Sequence, residues 1–307
     1  MTDIPAEPEL PRAVALAWGV AANPQRGPKR EMSIERIVDA AIEIADAGGL
    51  AAVSMASVAS ALGYTPMSLY RYVTSKDDLL VLMQETGVGV PPESVLEAEG
   101  WRTGLHEWAR ATLETYREHP WLLDVAIDGT PQTPNNLAWL DAALAVLGEV
   151  PAGYEAKLGI ALAVLAQVRW QGLVERGYFA AAEAAAVDPA ELERRASDVI
   201  AALITPEQFP EVHRALEAGV FGPSPESPFA FGLERVLDGI ERYLETLPGA
   251  PDAPASPPDP LEDQAARDPK VKEAVKARRE AEKALREARK RERERLRDAR
   301  ERLRHSR

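Results

Sequence analysis

The stretch SIERIVDAAIEIADAGGLAAVSMASVASALGYTPMSLYRYVTSKDDLLVLM, residues 33–83, decides the architecture. Ser33 is placed to cap a helix whose apolar positions Ile34, Ile37, Val38, Ala41, Ile42 and Ala45 fall at the spacing of one buried stripe. Gly48-Gly49 ends it. Ser54 is placed to cap a second, short helix with Val58, Ala59 and Leu62 inward, and Gly63 stops it. Thr65 then reads as the cap of a third helix with Pro66 at its first position, where the missing N–H costs nothing. Leu69 and Val73 lie i and i+4 on one face of that helix, and Ser75 with Asp78 reads as a capping box opening a fourth through Leu79, Leu80 and Leu82. Two short helices joined by a glycine turn, the second started by proline, make a helix-turn-helix. With Leu69 and Val73 inward, the third helix turns Met67, Ser68, Tyr70 and Arg71 outward. These supply an apolar tip for a thymine methyl, a hydroxyl, and a guanidinium for guanine or phosphate. Lys76 follows at the start of the next helix, where backbone N–H groups can hold a phosphate.

Ile37-Val38-Asp39-Ala40-Ala41, Val58-Ala59 through Leu62-Gly63, Met67-Ser68-Leu69-Tyr70-Arg71-Tyr72-Val73 and Lys76-Asp77-Asp78-Leu79-Leu80 closely resemble the tetracycline-repressor (TetR) family of bacterial regulators. The likeness runs continuously from about Ser33 to Met83. It implies that Tyr70, Tyr72 and Lys76 contact phosphates and that Thr65, Pro66, Met67, Ser68 and Arg71 line the recognition helix. Many relatives place arginine early in the second helix, where this chain has Ala56 and Ser57. The basic arm Arg26-Gly27-Pro28-Lys29-Arg30 precedes the first helix, and Arg26, Lys29 and Arg30 are candidate minor-groove or phosphate contacts.

The remainder of the 307 residues reads as all-α. The expected order is a leader (1–25), the three-helix DNA-binding domain (26–84), a larger helical ligand-binding and dimerisation domain (93–247), a proline-rich linker (248–260) and a charged helical tail (261–307). The chain holds 36 Lys+Arg against 49 Asp+Glu, a net charge of −13. The tail alone holds 18 basic and 11 acidic residues, net +7, so the preceding part is at −20. An acidic body disfavours bulk adhesion to nucleic acid, and DNA contact by it must come from a small, locally arranged surface. There is no cysteine, which removes disulfides, thiolate zinc sites and cysteine catalysis. No apolar run reaches the ~18 residues of a spanning helix, and the N-terminus lacks the basic start of a signal peptide. A cytoplasmic protein without a membrane partner is the expectation.

In the larger domain, residues 101–119 form an amphipathic helix, 137–147 a strongly apolar one, and 155–179 is the longest helical pattern, uncharged from Leu158 to Val168. Residues 101–247 resemble, more loosely, the C-terminal domain of the same family. That likeness implies a small-molecule effector and a homodimer through a four-helix bundle built from helices near 155–179 and 229–247, with Leu237 in the buried interface. Trp108, His119, Trp121, Trp139, Gln167, Trp170 and Gln171 are candidate lining groups for a flat, partly polar ligand. His106, His119, His213 and His305 never fall at ligand spacing, so no metal is expected, and no cofactor either. No phosphate loop, Gly-x-Ser-x-Gly elbow or His-Glu-x-x-His motif supports an enzyme. The implied function is a dimeric repressor released from a palindromic double-stranded operator by an effector. The alternative is a scaffolding or nucleic-acid-associated protein acting through its basic tail.

Overall fold

Serine side chains cap the helices that start at Ile34, Met55 and Lys76. The computed structural model describes residues 10–19, 32–127, 129, 131–221, 228–247, 268–274, 276–277 and 295. Among them every regular element is helical. A short leader helix α1 (Arg12–Ala17) precedes α2 (Ile34–Gly48), a 3₁₀ turn (Leu50–Ala52), α3 (Met55–Leu62), α4 (Pro66–Leu69) and α5 (Lys76–Val88). Ser33 accepts the Arg36 N–H. Ser54 and Ser57 form a complete reciprocal box, each hydroxyl accepting the other's backbone N–H at 3.0 and 2.8 Å. Gly63 closes α3 with φ +75°, a left-handed conformation that a side chain would strain.

Two expected caps differ. Thr65 meets the Ser68 hydroxyl at 3.0 Å instead of a backbone N–H. Ser75 does accept the Asp78 N–H at 3.0 Å, but the Asp78 carboxylate is taken by the Thr74 hydroxyl, so the return half of the box is missing. The recognition helix is also shorter than expected: α4 ends at Leu69, and the chain continues as a turn that still buries Val73. Leu69 and Val73 join Ile37, Val38, Val58, Leu79 and Met83 in one cluster. Each fully buried aliphatic side chain there contributes roughly 1.5–3 kcal/mol. The leader is partly ordered into this cluster, since α1 buries Ala13 and Val14 and packs on α5, while Trp18 Nε1 donates to Gln132 O at 2.8 Å.

The second cluster belongs to α6 (Ser94–Glu97), α7 (Trp101–Glu118), a 3₁₀ turn (Pro120–Asp124), α8 (Pro134–Val146), α9 (Tyr154–Ala184), α10 (Pro189–Leu203), α11 (Pro210–Glu217) and α12 (Pro228–Thr246). Leu105, Trp108, Ala143, Leu147, Val164 and Leu237 fill it. Leu237 is therefore corrected from an interface residue to a core residue: it is 0% exposed within the single chain. α9 is longer than its apolar pattern, running five residues past Phe179 through small and polar residues. α12 is oriented on α7 by Arg102, which reaches Glu234 at 2.6, Asp238 at 2.7 and Glu241 at 3.1 Å. The guanidinium holds the Glu234 and Asp238 carboxyls below their usual range. No described helix is long and apolar enough to cross a membrane.

The chain divides into two compact units, Met1–Gly249 and Ala250–Arg307. In the second, residues 269–274 are helical, and most of the tail expected to be helical lies outside the described residues.

Candidate nucleic-acid interface

α3, the Gly63 turn and α4 present the third helix outward because Leu69 and Val73 anchor its inner side at 0 and 1% exposure. Thr65, Pro66, Met67, Tyr70, Arg71 and Lys76 are exposed, Met67 at 73%. Ser68 is half-buried and tied to Thr65. The Tyr72 ring packs partly against the first cluster. Arg71 and Lys76 form no ion pair or side-chain hydrogen bond among the described residues, in a chain whose other arginines and acids are widely paired. An outward surface with two unengaged cations, hydroxyls and an apolar tip has the chemistry of a groove reader. At the positions where relatives carry arginine, Ser57 is engaged in capping α3 and Ala56 is exposed. Arg26, Lys29 and Arg30 lie outside the described residues.

The seven candidate ligand residues do not converge on one place. Trp108 and Trp139 meet edge to face at 6.3 Å in the second cluster. Their indole N–H groups are engaged, Trp108 by Trp139 O at 3.0 Å and Trp139 by Gly89 O at 3.1 Å. Trp121 lies in the first cluster, with its N–H on Asp46 at 2.9 Å, and His119 Nδ1 meets the same carboxylate at 2.9 Å. Gln167 donates weakly to Phe229 O at 3.4 Å, Gln171 to Glu175 at 2.8 Å, and Trp170 is 60% exposed. Burial pushes the Tyr116 hydroxyl up, partly opposed by Arg169 beside it. The residues whose links sequence reasoning missed are Asp46, Glu85, Arg169 and Arg176, all polar groups joining segments far apart in the chain. Metal-ligating clusters are absent among the described residues.

A helix-turn-helix unit in one apolar core, joined to a second helical core, is the architecture of a DNA-binding regulator. A family model described as "Bacterial regulatory proteins, tetR family" matches residues 37–83, and one described as "Tetracyclin repressor-like, C-terminal domain" matches residues 93–244. The HTH-type transcriptional repressor DrrR1 of Streptomyces coeruleorubidus is 34% identical over 246 residues, covering 76% of this chain and 86% of that protein. An HTH-type transcriptional repressor of Mycobacterium tuberculosis is 27% identical over 228 residues, covering 72% of this chain and 85% of that protein. Apo ActR of Streptomyces coelicolor shares the fold, with a TM-score of 0.58 at 21% identity over 71% of this chain and 99% of that one. The chain belongs to the tetracycline-repressor family of bacterial transcriptional regulators.

Proposed function

We propose that the protein is a homodimeric, cytoplasmic transcriptional repressor that leaves a palindromic operator when a small molecule binds its larger domain, and that it catalyses no reaction. The observation that carries this reading is the outward recognition segment with Arg71 and Lys76 unengaged. Thr65, Pro66, Met67, Ser68 and Arg71 face base edges in this reading, and Tyr70, Tyr72 and Lys76 face phosphates. DrrR1 is a repressor by name, and ActR has been crystallised with actinorhodin, which supports an effector-responsive repressor here.

Dimerisation through α9 and α12 is supported by the exposed apolar residues Leu158, Leu162 and Trp170 on α9 and Phe231 and Tyr243 on α12. The α9 face is uncharged from Leu158 to Val168, as an interface core requires. Two recognition helices about 34–36 Å apart then meet successive major grooves. An effector that favours a differently spaced state releases DNA by its differential affinity for the two states.

Selection of operators from random DNA by the full chain, followed by gel shift with and without small aromatic effectors, tests the reading. A two-half-site consensus released by one such compound supports it. Failure to select any sequence at low salt overturns it.

A further inference from the structure

One piece of the larger domain is built into the DNA-binding domain. Trp121 and Leu122 of the 3₁₀ turn Pro120–Asp124 lie in the first cluster, 1 and 3% exposed. The Trp121 ring fits against Gly87 of α5, where a Cβ would sit 2.9 Å from Cζ2. Trp121 Nε1 donates to Asp46 Oδ1 at 2.9 Å, and His119 Nδ1 lies 2.9 and 3.1 Å from the two oxygens of that carboxylate. An ionised carboxylate only accepts, so both ring nitrogens donate. Asp46 occupies the last turn of α2, the end of a helix where its dipole disfavours an acid. Two donors from another domain offset that.

The opposite side of the same turn is held by α9. Arg169 Nη2 donates to Leu123 O at 2.7 Å and Val125 O at 2.8 Å. Arg176 donates to Pro120 O at 3.1 Å and pairs with Asp124 at 2.8 Å. Leu123 lies against Gly172 of α9. The turn is thus gripped by the proposed dimer helix on one side and by α2 and α5 on the other. Apolar burial of Trp121 holds the domains together, and the close fit of its ring on Gly87 already limits their angle. Hydrogen bonds are directional.

We propose that Asp46, through the hydrogen bonds it accepts from His119 and Trp121, is a positioning residue that, beside the Glu85–Asn135 link between α5 and α8, fixes the angle of the DNA-binding domain and so the spacing at which two half-sites are read. The spacing role rests on the dimeric repressor reading above. The orientation role does not.

The cysteine-free chain allows Met67→Cys on the recognition helix and Glu114→Cys on α7 to be spin-labelled cleanly, with excess unlabelled chain isolating distances within one protomer. The parent should give one narrow distance distribution, and Asp46→Ala a broadened or displaced one. Trp121→Phe and His119→Gln, which keep the packing, should each give an intermediate width and serve if Asp46→Ala does not fold. On a selected operator, lengthening or shortening the spacer by one base pair should weaken the parent roughly tenfold. Asp46→Ala should lose most of that discrimination while binding an isolated half-site as the parent does. Unchanged distances in all three variants overturn the proposal. Broadened distances with spacer discrimination intact overturn the spacing role. A parent that selects no two-half-site operator overturns the repressor reading and the spacing role with it, and the orientation role is then decided by the distances alone.

Discussion

Glu85, on α5, accepts the backbone N–H of Asn135 at 3.0 Å with both carboxylate oxygens, so the helix that follows the recognition segment caps the N-terminus of α8. Asn135 returns a side-chain bond to Glu85 O at 2.7 Å. Burial pushes the Glu85 carboxyl above its ordinary value of 4.5, only partly opposed by hydrogen bonds from Thr133, Asn135 and Asn136. The folded chain therefore holds this proton more tightly than the unfolded one. The associated stability is fully present below about pH 4.5 and is lost as pH rises through the folded value. Glu85→Gln removes the titration and keeps an acceptor. Urea midpoints of the two proteins measured from pH 4 upward, in about half-unit steps, should show the variant gaining on the parent as pH rises. A constant gap would count against a raised Glu85.

Arg71→Ala should weaken operator binding by about 1–3 kcal/mol and relax base preference at one position per half-site. Lys76→Ala should weaken all sequences alike and flatten the salt dependence by about one counterion, because a phosphate contact carries no sequence information. Competition gel shifts across a salt series separate the two. A changed consensus for Lys76→Ala with an unchanged slope would reverse the roles.

Leu162 and Leu237 should respond oppositely to a carboxylate. Leu162 is 52% exposed on α9, so Leu162→Glu leaves the charge in water within one chain, and sedimentation should show folded monomers. Leu237 is fully buried, and Leu237→Asp combines lost packing of about 2–5 kcal/mol with an unpaired buried carboxylate. Circular dichroism melting should find that variant unfolded or nearly so. A dimeric Leu162→Glu protein would place the interface elsewhere.

The DNA-binding domain is not cationic overall: residues 26–84 hold six Lys+Arg, three of them in the arm at residues 26–30, against seven acids. The net +7 of residues 261–307 is the largest concentrated source of positive charge in the chain. Deleting those residues should weaken binding to random DNA at low salt and reduce the slope of log affinity on log salt, with the preferred sequence unchanged. Equal affinity for random DNA across the series would show that the tail is no anchor.

Much of the fold could be read directly, because local rules decide it. Ser33, Ser54 and Gly63 act on their own helix ends, and the inward placement of Leu69 and Val73 follows from i, i+4 spacing. The length of α4 was less legible, since a turn can bury Val73 as well as a helix can. α1 was missed because six residues among prolines show little periodicity, and its order comes from packing on α5. The tryptophans look alike in sequence, yet Trp121 joins one core and Trp108 and Trp139 the other. Their destinations depend on contacts such as Trp121 with Asp46, 75 positions apart, and no periodicity records those.

The 31 residues of α9 have one further mechanical consequence. At 1.5 Å per residue the helix is a rod of about 46 Å, and pivoting it by about 5° displaces one end relative to the other by about 4 Å. Its uncharged stripe adjoins Arg169 and Arg176, the arginines that hold the 3₁₀ turn, so stripe and turn move with the same segment of this rod. A pivot of α9 would therefore carry the turn, and Trp121 seated in the first cluster, along with it.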